Sequence, residues 1–409
     1  MDTEKRVLIT GLGAITALSA GVAGTWQGFT EGVCGIEDID LFNTSRYRTN
    51  TGAQVKKLPP LSMVTHRELK RLSRCDLFGL FAAEEALNDA HLDLSTTNRE
   101  RIGICLGGGA GGLLNAEQYR RKIFNQERAK PSLLLSFSTC TTTDCIANKY
   151  KIFGPRVTIA TACSSSATAI GYGSDLIRAG KADVMITGGS ESLCELTFSG
   201  FNALRLLDDT RCRPFDLNRK GLSLGEGAAI LILEEGERAR ARGAHSYGEL
   251  IGYAINGDAY HMTSPEPDGE GAYLVMKRAL ELHSIEPSSI DYINAHGTGT
   301  FINDSAETKA IKKAFGKEAY TIPVSSIKSM IGHCLGAAGA IEALATVLSI
   351  THGIITPTVG YKTPDPQCDL DYVPNQSRKR DITYAMSNSF AFGGNNTSLI
   401  FKKYDLRHE

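Results

Sequence analysis

The chain has 409 residues, of which 42% are hydrophobic and 22% are charged, and its formal net charge is −1. This length exceeds what one small core needs and predicts two or three domains or one large duplicated domain. The balanced charge excludes a global basic field that would attract nucleic acid or an anionic membrane.

Strand-like and helix-like runs alternate along the first half of the chain. Apolar runs predict strands at 6–13, 101–109, 157–162, 182–189 and 227–235. Apolar residues three and four positions apart predict helices at 74–90, 142–154 and 164–179. This alternation is typical of α/β layers.

A second series of the same kind follows. Strands are predicted at 248–258 and 291–297, and helices at 270–284, 305–316 and 336–353. Each series closes with a glycine-rich turn that leads into an apolar strand, in SLGEGAAILILEE and in SFAFGGNNTSLIFKK. The pattern indicates an ancient duplication, with related halves at residues 1–247 and 248–409.

Cysteine usage and the N-terminal residues indicate the compartment. The ten cysteines are scattered without a CxxC pair, so a zinc site is not expected. The segment MDTEKRVLIT enters a strand without an apolar signal region, and no apolar run is expected to span a bilayer. We therefore expect a cytoplasmic protein with reduced thiols and no membrane insertion.

Cys163 lies in TACSSSA, between a predicted strand and a predicted helix. Free backbone N–H groups and the positive end of the helix dipole favour a thiolate at such a junction. The pattern therefore predicts a nucleophile. The alternative is a buried structural cysteine, which is what most free cysteines are.

Three further segments end strand-like runs with small and polar residues. NAHGTGT contains His296, VSSIKSMIGHCLGAAGA contains Lys328 and His333, and SNSFAFGGNN has glycines that let backbone N–H groups approach a ligand. Open α/β sheets bind ligands at the carboxyl ends of their strands. For each histidine alone, the alternative is a structural residue with its hydrogen bonds satisfied. For the lysine alone, the alternatives are a solvated side chain and a buried charge. Together with Cys163, they predict a site with one nucleophile, two imidazoles and an ammonium.

The segments TACSSSA, NAHGTGT, SIKSMIGHCLGAAGA and SNSFAFGGNN together resemble the motif set of the β-ketoacyl-acyl carrier protein synthases. These are elongating condensing enzymes, and the likeness to the synthase II type runs from VLITGLGA to SLIFKK. The resemblance implies an α/β protein of the thiolase fold, five-layered αβαβα with two related halves, and a homodimer. It places the nucleophile in the N-terminal half, and both histidines and the lysine in the C-terminal half.

The resemblance also implies a reaction. Cys163 would accept an acyl chain from an acyl carrier protein thioester, and His296 and His333 would promote decarboxylation of a malonyl thioester. The enolate would then attack the acyl group on Cys163. The N–H groups of Cys163 and Phe392 would form the oxyanion hole. The substrates are carried on phosphopantetheine, and no other cofactor is expected.

Other residues take their roles from the same resemblance. Lys328 matches a structural lysine, and we expect Glu307 to be its partner because a buried ammonium needs a carboxylate. Phe392 matches a gating residue beside the nucleophile. The expected substrate contacts are Thr298, Thr300, Phe201, Phe390 and Ala110. No metal is expected beyond a monovalent cation, for which Asn294, Glu342 and Asn388 are the candidate ligands.

Two positions depart from the family pattern. Ala110 stands in GGGAGG where many members have a bulky aliphatic residue, which predicts an acyl pocket for longer or stiffer chains unless a neighbouring side chain fills the space. Ala391 replaces a glycine between Phe390 and Phe392, and its Cβ restricts the predicted gate.

A basic run offers a docking site. Arg67, Lys70, Arg71 and Arg74 fall on one face if the segment is a single helix. The carrier protein of this family is acidic, so we expect a docking patch here. The alternative is an ordinary solvated basic face.

Several other interpretations compete. Gly107, Gly109 and Gly112 fit the GxGxxG spacing of a dinucleotide-binding protein, but no acidic residue closes a second strand about twenty residues later. A biosynthetic thiolase needs a second cysteine that SFAFGG lacks, and the initiating synthases use Cys-His-Asn. Within the fold, the alternatives are a ketosynthase subunit that elongates a polyketide or polyene, which would form a heterodimer with a chain-length partner, and the non-catalytic chain-length partner itself.

Overall fold

A ten-stranded mixed sheet forms the framework of the computed structural model, which describes residues 5–404. Its strands are β1 (Val7–Ile15), β2 (Ile102–Gly107), β3 (Arg156–Ile159), β4 (Val184–Glu191), β5 (Gly227–Glu235), β6 (Gly248–Gly257), β7 (Ile290–Asn294), β8 (Val324–Ser325), β9 (Tyr384–Ala391) and β10 (Asn395–Lys402). Their spatial order is β8-β7-β9-β10-β6-β1-β5-β4-β2-β3. Two short pairs lie apart from it, Glu37–Asp38 with Thr51–Gly52 and Ile354–Ile355 with Arg378–Lys379.

The two halves of the sheet repeat one topology. In each half the strands lie in the order third, second, fourth, fifth, first. The third–second and second–fourth pairs are parallel, and the fourth–fifth and fifth–first pairs are antiparallel, in both halves. Antiparallel pairing of β1 with β6 joins the halves, with Leu8 opposite Glu249. We propose from this repeat that the boundary between the halves lies at residues 247 and 248; the structure describes 5–247 of the first half and 248–404 of the second.

Twelve α-helices cover and separate the strands in the described residues. They are α1 (Val22–Glu31), α2 (His66–Leu69), α3 (Arg74–Asp89), α4 (Leu113–Phe124), α5 (Thr141–Tyr150), α6 (Ser165–Arg178), α7 (Glu195–Ala203), α8 (Gly236–Ala241), α9 (Glu270–Leu282), α10 (Phe301–Phe315), α11 (Lys328–Ile331) and α12 (Ala338–His352). Helices α6 and α12 contact each other and strands of both halves. Helices α3 and α5 cover the first half, and α9 and α10 cover the second. The layers are thus outer helices, the first half of the sheet, α6 with α12, the second half of the sheet, and outer helices. This order confirms the five-layered αβαβα arrangement.

The central layer depends on small side chains. A Cβ at Gly339 of α12 would lie 2.7 Å from the Cβ of Ala167 on α6, so the two helices meet closely. Every residue of α12 from 338 to 350 is buried. The segment Leu335–His352 is long and apolar enough to cross a membrane, contrary to the sequence expectation, but 89% of it is buried inside the protein. Its composition is that of a core helix.

Two predicted boundaries differ from the structure in ways that matter for the site. Strand β7 ends at Asn294 and not at Gly297, and α10 begins at Phe301 and not at Ser305. The residues between them form a turn in which Gly297 and Gly299 have positive φ, 39° and 82°. Such angles favour glycine.

Candidate active site

One cavity of about 380 Å³ brings together most of the predicted catalytic and substrate-contact residues. It lies at the carboxyl ends of β3, β7 and β9, which is where a sheet of this kind binds ligands. Eight of its lining residues were predicted from sequence: Cys163, Phe201, His296, Thr298, Thr300, His333, Phe390 and Phe392. At its edge the exposed side chains of Arg205, Lys220 and His261 face solvent.

Cys163 sits in a single 3₁₀ turn, Ala162–Ser164, between β3 and α6. The preceding Ala162 has φ 52°, an uncommon angle for a residue with a Cβ, which indicates a sharp strand-to-helix turn. The thiol is 6% exposed. The backbone N–H groups of Phe392 and Cys163 donate hydrogen bonds to the Cys163 sulfur and lower the pKa of its thiol. The two predicted oxyanion-hole donors therefore lie at the nucleophile.

The protonation state of Cys163 differs from the sequence expectation. Burial raises the pKa of the thiol to about 11, although Lys328 and the two N–H groups act in the opposite direction. The expected preference for a thiolate is therefore wrong for the resting protein, because removal of the sulfur from water outweighs the helix terminus.

His296 and His333 meet edge to face across the cavity, with ring centroids 5.3 Å apart and planes at 85°. His296 follows β7, and His333 follows α11. Burial lowers the pKa of both imidazoles well below 6.5, and the Lys328 ammonium lowers it further. Both rings are therefore neutral at physiological pH.

Lys328 organises the first of these rings. Its Nζ lies 3.3 Å from His296 Nδ1 and also donates to the His296 carbonyl oxygen. An ammonium has no lone pair to accept a hydrogen bond, so Nδ1 must be the acceptor. The His296 proton is therefore on Nε2.

The expected pairing of Lys328 with Glu307 is wrong. The carboxylate bonded to Lys328 is that of Glu342, on the central helix α12. Both side chains are only 2% exposed. Sequence spacing gave no sign of this pair, although the two residues are only 14 positions apart, because a turn separates α11 from α12 and its path decides which carboxylate meets the ammonium.

Glu307 instead supports the turn that carries His296. Its two oxygens accept from the N–H groups of His296 and Gly297, each at 2.8 Å. Burial raises the pKa of this carboxyl to about 7. The carboxylate holds the backbone, while Lys328 holds the ring.

The glycine-rich segment after β9 closes one side of the cavity. Phe392 stacks on Phe201, with centroids 5.5 Å apart. The Gly393 N–H donates to the Met262 carbonyl oxygen at 2.8 Å. Ala391 has φ −123° and ψ 156°, ordinary extended angles, so its Cβ causes no backbone strain in this conformation.

Arg219 lines the cavity and was not predicted. Its guanidinium is fully buried, pairs with Asp365 and donates to the Phe301 carbonyl oxygen at 3.1 Å. Beside it, the hydroxyls of Thr298 and Thr300 lie 2.9 Å apart. The motif FDLNRKG contains this arginine, and its place in a long polar loop was the only available signal.

The candidate cation ligands lie behind the histidines. Asn294 Oδ1 and Glu342 Oε2 are buried without a hydrogen-bond partner in the described residues, whereas Asn388 Oδ1 accepts from Ser398 Oγ at 2.7 Å. The described part of the chain contains no cluster of three His, Cys, Asp or Glu side chains suited to a metal ion.

Ala110 does not line the cavity that contains Cys163. It lies in the turn after β2, partly exposed, and its N–H donates to Glu191 Oε1 at 2.9 Å. The Gly109 N–H donates to the same carboxylate, at 2.9 Å from Oε2. Because a carboxylate occupies these N–H groups, the GxGxxG spacing does not form a diphosphate cradle here.

The basic run does not form one helix face. Thr65 with Glu68 and Ser73 with Asp76 form two separate capping boxes, so α2 ends at Leu69 and α3 begins at Arg74. Arg74 pairs with the fully buried Glu226 and is a structural residue. The expectation for Arg74 is therefore wrong. Arg67, Lys70 and Arg71 are exposed.

The raised pKa of Cys163 leads to a prediction about its alkylation. Since the thiolate is the reactive form, the rate of carbamidomethylation of Cys163 by iodoacetamide should rise continuously from pH 7 to pH 10. Peptide mass spectrometry resolves this rate from the other cysteines, and the Cys163→Ser variant identifies the peptide. A plateau reached below pH 9 would contradict the assignment.

Comparison with known proteins agrees with the geometry. Residues 4–239 match the family model described as beta-ketoacyl synthase, N-terminal domain, and residues 247–362 match the beta-ketoacyl synthase, C-terminal domain. The 3-oxoacyl-[acyl-carrier-protein] synthase 2 of Staphylococcus aureus (strain COL) is 40% identical over 413 aligned residues, covering 99% of this chain and 100% of the relative.

Solved structures resemble the whole chain. The ishigamide ketosynthase/chain length factor superposes with a TM-score of 0.94 at 33% identity, covering 98% of this chain and 100% of that one. A type II polyketide synthase acyl-carrier protein in complex with its ketosynthase gives 0.90 at 35% identity, with the same coverage. By its sequence, its fold and the residues around its cavity, the chain belongs to the beta-ketoacyl synthase family.

Proposed function

We propose that the protein catalyses decarboxylative Claisen condensation of an acyl-enzyme thioester with malonyl-acyl carrier protein, giving β-ketoacyl-acyl carrier protein in fatty acid elongation. The observation that carries this proposal is the shared cavity of Cys163, His296 and His333. One thiol and two neutral imidazoles suit acyl transfer followed by stabilisation of an enolate.

In the first half-reaction, the Cys163 sulfur attacks the acyl thioester and the phosphopantetheine thiol leaves. The thiol proton of Cys163 passes to that leaving group, so the step is neutral overall. The N–H groups of Cys163 and Phe392 donate to the oxyanion of the tetrahedral intermediate. Because the resting thiol is protonated, the proton must leave as the carbon–sulfur bond forms.

In the second half-reaction, malonyl thioester loses carbon dioxide and its thioester carbonyl becomes an enolate. His296 donates from Nε2 to the developing oxyanion, since Lys328 occupies the Nδ1 side. His333 is the second donor. The enolate carbon then attacks the acyl carbonyl on Cys163, the carbon–sulfur bond breaks, and the sulfur leaves as a thiolate. The thiolate takes a proton from solvent, which is the one proton that the decarboxylative reaction consumes.

Carrier-protein docking is proposed at Arg67, Lys70 and Arg71, which are exposed in and after α2. Arg205 and Lys220 lie separately at the edge of the cavity, where Lys220 pairs with Asp209. A phosphopantetheine arm that enters the cavity past Arg205 and Lys220 reaches Thr298 and Thr300 before it reaches Cys163. No cofactor besides this arm is proposed. The protein is proposed to act in the cytoplasm.

A homodimer is proposed from the free edge of the sheet. Strand β3 pairs with β2 on one side only, and an unpaired edge is a template for another chain. Leu135 and Phe137 are also exposed, at 63% and 55%. A heterodimer with a chain-length partner is the alternative, as in the ishigamide ketosynthase/chain length factor.

A monovalent cation is proposed at Asn294, Glu342 and Asn388. The unpartnered buried oxygens of the first two fit a small cation that takes oxygen ligands. Such an ion would hold the end of β7 against β9 and α12. No reaction step is assigned to it.

A second candidate function is elongation of a polyketide or polyene chain in place of a fatty acid. The structural likeness to ketosynthases of such systems favours it. A non-catalytic chain-length role is disfavoured, since Cys163 and both histidines line one cavity.

The proposed function is tested by intact mass spectrometry with a panel of acyl-carrier proteins. The wild type should gain one acyl group on Cys163, and the chains accepted distinguish fatty acyl from polyketide or polyene substrates.

His333→Asn should still be acylated but lose malonyl decarboxylation by roughly 10²–10³-fold, because one oxyanion donor is lost. The control is His91→Asn at an exposed position. Absence of acylation by every chain would refute the proposal.

The docking patch is tested by charge reversal. Arg67→Glu with Lys70→Glu should raise KM for carrier-protein substrates about tenfold at low salt and less at high salt, with kcat unchanged, because exposed charges act mainly on encounter. Lys277→Glu with Arg278→Glu, on the outer helix α9, makes the same charge change as a control. Equal KM values for both double variants would exclude the patch.

The pocket prediction is tested at Ala110. Ala110 lies outside the cavity that contains Cys163, but the family resemblance implies that the end of a bound acyl chain reaches it. Ala110→Ile should therefore shorten the longest acyl chain transferred to Cys163 by several carbons. Ala241→Ile, at an exposed position on α8, is the control. An unchanged chain-length range would show that Ala110 does not limit the pocket.

A further inference from the structure

A buried carboxylate at the end of β4 contacts two segments of the site. Glu191 is the last residue of this strand and is 0% exposed. Its Oε2 accepts from the N–H groups of Gly109 at 2.9 Å and Gly336 at 3.1 Å. Its Oε1 accepts from the N–H group of Ala110 at 2.9 Å. One side chain therefore joins a turn of the first half to a turn of the second.

The backbone closes tightly around this carboxylate. A Cβ on Gly109 would lie 2.6 Å from Glu191 Oε2, and a Cβ on Gly336 would lie 2.8 Å from it. A Cβ on Gly336 would also lie 2.6 Å from the Gly109 nitrogen. Both positions require glycine because the two turns and the carboxylate are in direct contact.

The first of these turns supports the nucleophile. It follows Gly107, where a Cβ would lie 2.2 Å from the nitrogen of Ser166. That nitrogen is in the first turn of α6, three residues after Cys163. The end of β2 therefore packs directly against the helix that begins at the nucleophile.

The second turn supports a histidine. Gly336 lies in the 3₁₀ turn Leu335–Ala337, three residues after His333, and leads into α12. Glu307 provides a close parallel, since it accepts the N–H groups of His296 and Gly297. Each histidine is thus followed by backbone that a buried glutamate holds.

We propose that Glu191 is a positioning residue that fixes the His333 turn relative to the Cys163 turn across the two halves. It touches neither substrate nor reacting atoms. The inference rests on the proposed function, because the geometry that it maintains is that of the decarboxylating histidine and the acyl acceptor. His333 is also held by its backbone hydrogen bonds with Ser223 and Gly225, so Glu191 adds a constraint on the turn that follows it. Loss of the carboxylate should impair decarboxylation more than acylation, since Glu191 bonds Gly336 directly while packing of β2 on α6 still supports Cys163.

The charge of Glu191 matters for this role. Burial raises the pKa of its carboxyl to about 7, while the N–H groups that it accepts lower it. Protonation converts one acceptor oxygen into a donor, which faces N–H groups that are also donors. The ionisable groups that interact with it are the thiols of Cys75, Cys194 and Cys334, whose pKa values are raised by burial, so they stay neutral.

The test compares Glu191→Gln with a matched variant, Glu85→Gln. Glu85 is a half-buried carboxyl that also accepts two backbone N–H groups, from Ala14 and Val22, and it lies in the outer layer. Glu191→Gln should lower kcat for malonyl decarboxylation roughly tenfold to hundredfold, as expected for a misplaced catalytic group. KM and the rate of Cys163 acylation should stay within about threefold, and Glu191→Asp should recover part of kcat. Glu85→Gln should change none of these rates.

Hydrogen exchange gives a readout independent of activity. Glu191→Gln should increase amide exchange in peptides that cover 107–112 and 333–340, and Glu85→Gln should not. Equal effects of the two variants on exchange, or equal losses of acylation and decarboxylation in Glu191→Gln, would overturn the positioning role. A wild type without acylation or decarboxylation would refute the proposed function instead, while the exchange pattern would still decide whether Glu191 holds the two turns.

Discussion

The buried ammonium of Lys328 is the interaction on which the rest of the site depends. It is 1% exposed and contacts Glu342, the His296 carbonyl oxygen and His296 Nδ1. A buried charge without a partner is very costly, and removal of one member of such a pair costs about 3–5 kcal/mol. The ammonium therefore keeps the central helix, the strand end and the first histidine in one arrangement.

The same charge sets the chemistry of the cavity. Burial lowers the pKa of His296 and His333, the ammonium lowers it further, and the ammonium opposes the effect of burial on Cys163. Imidazoles with so low a pKa are neutral hydrogen-bond donors and only weak bases for the thiol proton. The site thus stabilises negative charge that develops on substrate oxygens and does not need a strong base.

Buried carboxylates perform the complementary task of holding the backbone. Glu307 binds the turn after β7, and Glu191 binds the turns after β2 and before α12. Each takes N–H groups that have no place in a strand or helix, and such groups are costly if left unpaired. The catalytic side chains are therefore presented by short turns whose backbone N–H groups are bonded to buried carboxylates.

Sequence patterns by themselves determined the alternating elements, the duplicated series and the positions of Cys163, His296, His333 and Phe392, because hydrophobic periodicity and short motifs are local properties of the chain. Only the tertiary structure decided that Lys328 pairs with Glu342, that Arg74 forms an ion pair with Glu226, and that Glu191 joins the two halves. It also decided that Cys163 is protonated at rest, since burial is a property of the packed molecule. The first two contacts form within one half and the Glu191 contacts form between the halves. Each depends on which groups meet in the folded chain, and separation along the sequence carries no information about such contacts.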